Sequence, residues 1–337
     1  MITTLPAALD RARLLVAPAL REAVANLAPE VRLPAEYALG WVDRDGRPVE
    51  AGSGKHVRAA LALVSARAAG VDEAVGLPGA VAMEIVHNFS LLHDDVIDND
   101  RERRHRATVW AAFGVGHAIT TGDALAILAM QVILDQGGPH AREAASLLTA
   151  STARMIAGET ADIEFETRDD VTLDDALEMS AGKTAALLDC AASLGAVLAG
   201  ADSDLVAALG RYGYHLGLSF QAVDDLLGIW GRPEVTGKPV WSDLRQQKKT
   251  IPIVAALEAA NGQADTLRGL LADSRSSEAS AARAAELIEG CGGREVTEQL
   301  ANEHLATALA ALDGADLDPG VAAELDEIAR FVVERQQ

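Results

Sequence analysis

An all-α fold, a single-domain bundle of ten or more helices over residues 1–337, is predicted by three features of the sequence. Ala and Leu dominate while aromatic side chains make up only 4%, a composition that favours helix over strand. No alternating β-branched run bounded by hairpin turns is present, which argues against a sheet. Apolar residues instead recur at three-to-four spacing almost everywhere, the signature of amphipathic helices packed on one another.

Taken in order, those stripes predict helices near 6–27, 56–70, 76–100, 117–135, 139–166, 172–200 and 203–230, with several more to the C-terminus. The central helices are long, as bundles require. One extended irregular stretch is expected, from Pro29 to Gly54, where Gly and Pro recur.

With 337 residues of which 49% are hydrophobic, the chain can bury a large core, and no Pro/Ser/Gly-rich linker divides it. Its net charge of −21 disfavours nucleic acid or an anionic membrane as partner, because the long-range field repels both. Two cysteines, Cys190 and Cys291, fit no metal spacing, and the N-terminus MITTLPAALD lacks a basic-then-apolar layout. A cytoplasmic protein with reduced thiols is expected. No transmembrane segment is expected either, since the longest apolar run, Ala124 to Leu134, is broken by Gln131 and falls short of the ~18 residues of a span.

The segment LLHDDVIDNDRERRHRAT, Leu91 to Thr108, places four aspartates within seven residues and then four arginines. On a helix Asp94 and Asp98 lie one turn apart on one face, with Asp95 beside them. Carboxylates so close repel, and hard divalent cations such as Mg²⁺ relieve the repulsion. A lone pair of this kind usually ends a solvated helix. A second pair changes the weighting: in FQAVDDLLGIWG, Asp224 and Asp225 interrupt an apolar helix, where an uncompensated charge is costly. Two acidic helices facing one another across a bundle would form a metal-binding cavity. Basic residues stand near both, at Lys55, Arg58, Arg103, Arg104, Lys183, Lys238 and Lys248. GSGKH is not a P-loop, because the pattern's first glycine would fall at Val49 and His56 replaces its Ser/Thr. No Rossmann fingerprint, zinc spacing or nucleophile elbow is present.

LLHDDVIDND, GDAL, GETADIEFE, the Lys183–Thr184 pair, FQAVDDLLG and TGKPVWSDLRQQKKTIPI, in that order between about Lys55 and Pro252, resemble the motifs of the polyprenyl synthetase family, the all-trans isoprenyl diphosphate synthases. The resemblance implies an all-α bundle around a deep central cavity, usually a homodimer. It implies Mg²⁺, three ions per site, as cofactor, and two substrates, isopentenyl diphosphate and an allylic diphosphate of dimethylallyl, geranyl or farnesyl type. Asp94, Asp98 and Asp224 resemble the metal ligands, with Asp95 and Asp225 in support. Arg103, Lys183, Lys238 and Lys248 resemble the cations on the allylic diphosphate, with Gln221 beside them. Lys55, Arg58, His87 and Arg104 resemble the isopentenyl diphosphate site. His87 lies two helical turns before Asp94, nearly on its face.

One departure from the family pattern concerns charge. The second acidic motif is usually DDxxD, but here Gly228 occupies the last position. The resemblance implies that metal binding is weakened rather than lost, with Asp243 as an outer acceptor. Restoring the carboxylate by Gly228→Asp is then expected to lower the Mg²⁺ requirement. Ala59 and Ala107 replace prolines common after the matching arginines.

Phe89 and Ser90, five and four residues before Asp94, resemble the family's limiting positions for product length. The aromatic at 89 and the small residue at 90 imply a C20 product, geranylgeranyl diphosphate, with C15 close behind. Three rivals compete. A class I terpene cyclase has no use for Lys55, Arg58, His87 and Arg104 together. A metal phosphohydrolase of the HD type needs further His and Asp ligands. A non-catalytic partner subunit is hinted at by Gly228 alone.

Overall fold

The structure, a computed structural model, describes residues 5–49, 54–232, 240–260 and 262–333. Helix predominates. The helices are α1 (Ala7–Ala25), α2 (Pro29–Ala38), α3 (Val57–Ala68), α4 (Leu77–Ile97), α5 (Val109–Phe113), α6 (Val115–Gln136), α7 (Ala141–Phe165), α8 (Leu173–Ser180), α9 (Ala186–Leu198) and α10 (Ser203–Trp230). Further along the chain come α11 (Ser242–Gln246), α12 (Ile251–Ala259), α13 (Ala264–Asp273), α14 (Glu278–Gly290), α15 (Gly293–Ala310) and α16 (Pro319–Val333).

The expected helices are present, with three differences. The stretch from Pro29 is not irregular throughout: α2 begins with Pro29 in its first turn, where the missing N–H costs nothing, and of the described residues from Pro29 to α3 only 39–49 and 54–56 lie outside a helix. The helix expected over 172–200 is two helices. A Thr172–Asp175 capping box starts α8, and Ala181–Ala185 form a π turn before α9. A minimal sheet also exists: Glu102–Arg103 pairs antiparallel with Arg106–Ala107.

The main core is built by α1, α3, α4, α6, α7, α9 and α10 and closed by α16. Small residues let the central helices approach. Gly195 on α9 lies against the Ala62 carbonyl and Ser65 on α3, and Ser65 Oγ accepts from Gly195 N at 3.0 Å. A smaller cluster joins the end of α10 to α11 through α14 around Ile229, Leu244, Ile253 and Leu267.

Three helical stretches, Glu73–Ile97, Val115–Gln136 and Leu173–Leu198, are long and apolar enough by length and composition to cross a membrane, although no uninterrupted apolar run predicted one. Of their most apolar windows, 67%, 44% and 72% is buried within the protein, so much of that apolar surface serves the core.

Candidate active site

Asp94 and Asp98 occupy the last turn of α4, and Asp98 N donates to the Asp94 carbonyl at 2.8 Å. The Asp94 carboxyl is pushed up to about 7 by burial first, then by the negative charge of Glu159, while Lys183 and Arg103 oppose the shift. A carboxyl crowded in this way favours a cation beside it.

Arg103 and Arg104 reach the site from a tight hairpin. Its two turn residues, Arg104 and His105, both have positive φ, of 53° and 60°, which non-glycine residues rarely adopt. The strain is held by Thr108 Oγ1 and Trp110 Nε1, which donate to the Asp100 carbonyl at 2.8 and 2.7 Å. Backbone strain of this kind is characteristic of functional sites.

Arg103 Nε donates to Asp95 Oδ1 at 2.7 Å. Asp95 is buried, and the structure makes it the acceptor that aims Arg103 rather than an open metal ligand. Asp225 differs from expectation in the same way. It is buried on α10, accepts from Gln221 Nε2 at 2.7 Å and from Ile251 N at 3.0 Å, and is held well above the usual carboxylate range by burial and by Asp243. Asp224 beside it is exposed. A helix turns by about 100° per residue, so adjacent aspartates cannot share one face. Each motif thus devotes one acid to internal hydrogen bonds.

Lys183 lies in the π turn, with Nζ 2.6 Å from Asp162 Oδ2 and 2.7 Å from Glu159 Oε2 of α7. The turn is pressed onto α7 where Gly158 meets the backbone of Gly182 and Lys183, leaving no room for a Cβ. Lys248, after α11, donates to Asp98 Oδ1 at 2.8 Å and lies 3.6 Å from Asp162 Oδ2. Together the two lysines hold the Asp162 carboxyl below its usual range despite burial. Thr184 Oγ1 donates to Gln221 Oε1 at 2.6 Å, tying the Lys183 turn to the second acidic motif. Lys238 lies outside the described residues.

Arg58 and Arg104 gather around His87. Burial pushes its pKa well below the usual histidine range, and Arg58, Arg104, Arg103 and His56 push it further, so the ring stays neutral. His56 Nδ1 lies 3.2 Å from Oε2 of the buried Glu84, a neighbour that also favours charge on Arg104. Lys55 Nζ sits 5.4 Å from the centre of the Phe331 ring on α16. Phe89 is buried edge-on to His93, whose Nε2 lies 3.1 Å from the Ile119 carbonyl, so it faces α6. Ser90 is half-buried, and its Oγ donates to the His87 carbonyl at 2.9 Å.

Sequence reasoning assigned no role to Glu159, Asp162, Glu84 or His56. GETADIEFE held the available signal, two acids on one helix face beginning next to a glycine. A side chain at 228 would meet the Asp243 carboxylate, so Gly228→Asp fits only if the Asp243 side chain moves aside.

Among the described residues no three His, Cys, Asp or Glu side chains form a ready-made ion cage. Mg²⁺ needs none, since it is commonly held by one or two carboxylates together with water and phosphate oxygens. The crowded Asp94 and Asp98 on one turn, with Lys248 bonded to Asp98 and Lys183 close by, fit such an ion.

The family model for polyprenyl synthetases matches residues 47–288, and the chain belongs to that family. It is 45% identical over 337 residues to a (2E,6E)-farnesyl diphosphate synthase of Mycobacterium tuberculosis, covering 99% of this chain and 94% of that one. A geranylgeranyl diphosphate synthase of the same organism is 42% identical over 326 residues, covering 96% and 93%. The crystal structure of a polyprenyl synthetase from Streptomyces coelicolor superposes with a TM-score of 0.93 at 48% identity, covering 98% of this chain and 99% of that one. The protein is therefore a prenyl-transferring enzyme, an all-trans prenyl diphosphate synthase.

Proposed function

We propose that this synthase condenses isopentenyl diphosphate head-to-tail with dimethylallyl, geranyl or farnesyl diphosphate and stops at C15–C20, with geranylgeranyl diphosphate as main product. The observation that carries the reading is the presence of two cation groups of different kind. Lys183 and Lys248 are interleaved with Asp98, Glu159 and Asp162, as a metal-bound diphosphate requires. Arg58 and Arg104 lie around a neutral His87, with Glu84 beside Arg104, a second group of cations that suits a second diphosphate.

In the reaction the allylic C–O bond breaks with its electron pair leaving on pyrophosphate. The isopentenyl double bond supplies the pair for the new C–C bond, and a proton is lost. Mg²⁺ bound at Asp94, Asp98 and Asp224, in three ions, would neutralise charge on the departing pyrophosphate. Lys183, Lys248 and Arg103 add preorganised positive charge to the same group. Neutral His87 can donate a hydrogen bond to the second diphosphate without competing with its arginines for charge.

The C20 limit is supported by Ser90, which is small and lies one turn from Asp94 on nearly the same face, about 6 Å along α4. Phe89 points toward α6. The split between farnesyl and geranylgeranyl relatives fits a boundary set by few side chains.

A homodimer belongs to this reading. Ile119, Ile127 and Leu134 on α6 and Ile156 and Ile163 on α7 are exposed, Ile127 to 69% and Leu134 to 56%, and together they form an apolar stripe that a second copy would cover. We read the enzyme as cytoplasmic and without a membrane span or nucleic-acid partner. The free thiols, the net charge of −21 and the use of its apolar helices in the core support this. Incubation with labelled isopentenyl diphosphate and each allylic primer separately tests the function. Formation of labelled C20 diphosphate is expected, and no incorporation from any primer would overturn it.

A further inference from the structure

The hairpin that carries Arg103 and Arg104 has two strands of two residues each, too short to keep its shape by their own pairing. Arg104 and His105 in its turn are left-handed, and so is Asn99, with φ of 56°, just after α4. Strained backbone of this kind persists only where the surroundings over-determine it. Thr108 and Trp110 hold the base of the hairpin through the Asp100 carbonyl. Its second strand, Arg106–Ala107, is held from elsewhere.

The holders are α2 and the loop that follows it. Tyr37, buried one residue before the end of α2, donates its hydroxyl to the Ala107 carbonyl at 2.7 Å. Arg106 reaches back the other way. Its guanidinium lies 4.4 Å from the centre of the Tyr37 ring, and Nη1 and Nη2 donate to the carbonyls of Tyr37 at 3.3 Å and of Val42 at 2.9 Å. The two residues, 69 apart in sequence, thus clasp one another. Both sides of the clasp are backed. Phe113 of α5 meets the Tyr37 ring edge-on at 5.2 Å, and Arg21 of α1 covers Trp41, beside Val42, with Cζ 4.3 Å from the ring.

What Arg106 binds sets it apart from its neighbours. Arg103, paired with it across the hairpin, is bonded to Asp95, and Arg104 lies beside His87. The Arg106 fork is committed to two main-chain carbonyls and an aromatic face, a use that fixes backbone rather than a phosphate. Arg103 keeps a second anchor in Asp95. Arg104 sits in the turn itself, so its place depends on the hairpin.

We propose that Tyr37 and Arg106 are positioning residues for Arg104: their clasp keeps the hairpin in its strained form, so that Arg104 is in place before isopentenyl diphosphate arrives. A group ordered in advance lowers the cost of binding. The inference rests on the assignment of Arg104 to the second diphosphate.

Tyr37→Phe keeps the ring, its contact with Phe113 and the face under Arg106, and removes only the hydroxyl. KM for isopentenyl diphosphate should rise about 2–10-fold, the worth of one neutral hydrogen bond, with KM for the allylic substrate within about twofold of native. Arg106→Ala removes two hydrogen bonds from a charged group and should raise it at least about 10-fold, while Arg106→Lys, which keeps a cation over the ring, should fall between. Trypsin, which cuts after arginine, reads the hairpin without turnover. Tyr37→Phe and Arg106→Ala should both be cut there faster than the native protein, because proteolysis follows the population of the open form.

The deciding comparison uses Arg104→Ala. In that background Tyr37→Phe should change KM for isopentenyl diphosphate by less than about twofold, since effects of residues that act through one another do not add. Full additivity, a native KM in variants whose hairpin is cut faster, or a fall in kcat and melting temperature with KM unchanged would overturn the inference. If Arg104→Ala raises KM while Tyr37→Phe and Arg106→Ala leave it native, the inference alone fails. If Arg104→Ala itself has the native KM, the reading of the second diphosphate site fails and the inference with it.

Discussion

Lys248 and Asp98 are 150 residues apart in sequence and joined at 2.8 Å, so the end of α4 is tied to the segment that follows α11. The lysine pKa is raised, against the effect of burial, chiefly by Asp162 and Asp98. An ammonium held in this way stays charged and is positioned before a diphosphate arrives. Lys248→Ala should raise KM for the allylic substrate by about 10–100-fold, the equivalent of losing one hydrogen bond to a charged group. KM for isopentenyl diphosphate should change little. Steady-state kinetics with each substrate varied in turn would check this, and equal effects on both would place Lys248 elsewhere.

Gly158 is where α7 touches the π turn that carries Lys183, and a methyl group there would meet the Lys183 backbone. Gly158→Ala should cost about 1–3 kcal/mol in stability through overpacking and lower kcat by displacing the lysine. Gly269, in α13, has open space at its Cβ position. Gly269→Ala should instead stabilise by roughly 0.5–1 kcal/mol with native activity, since it removes only the helix penalty of glycine. Thermal melts of the two variants provide the comparison.

Ser90 and Phe89 are adjacent but point in different directions, about 100° apart around α4. Ser90→Phe should shift the main product down by one or two five-carbon units, because a packed wall cannot take an added ring without losing space. Phe89→Ala opens volume against His93 and α6, and should shift products upward less than Ser90→Phe shifts them downward. Chromatography of the dephosphorylated products decides. An unchanged distribution in both would mean that the cavity floor lies elsewhere.

Burial pushes the Cys190 thiol up to about 12. The folded protein therefore keeps that proton while an unfolded chain loses it near the ordinary thiol value of 9.0. The unfolded state then binds fewer protons between those values, so stability is full below about pH 9 and falls as pH rises above it. Near pH 8 a thiol-specific reagent should modify Cys291 and spare Cys190 in the native protein, because the thiolate is the reactive form and burial also blocks access. Both thiols should react in denaturant. Two reactive thiols in the native state would contradict the packing of α9.

The sequence by itself determined the all-α class and the positions of most helices, because hydrophobic periodicity is local and repeats within each turn. It also determined which residues bring acid and base together, since Asp94 and Asp98 share a face at any register of helix packing. Helix breaks were less legible. The π turn at Ala181–Ala185 depends on Gly182 meeting Gly158 of another helix, and no window of sequence contains both. Only the tertiary structure decided which acid does what. Asp95 and Asp225 resemble their neighbours in sequence, yet each is turned inward to a partner brought by folding, Arg103 for one and Ile251 N for the other. Asp162 became the acceptor of two lysines, and Asp243 came to stand in the space left by Gly228, through contacts between separate helices. The physical reason is range: periodicity and spacing act over one or two turns, whereas charges find their partners through packing that only the folded chain creates.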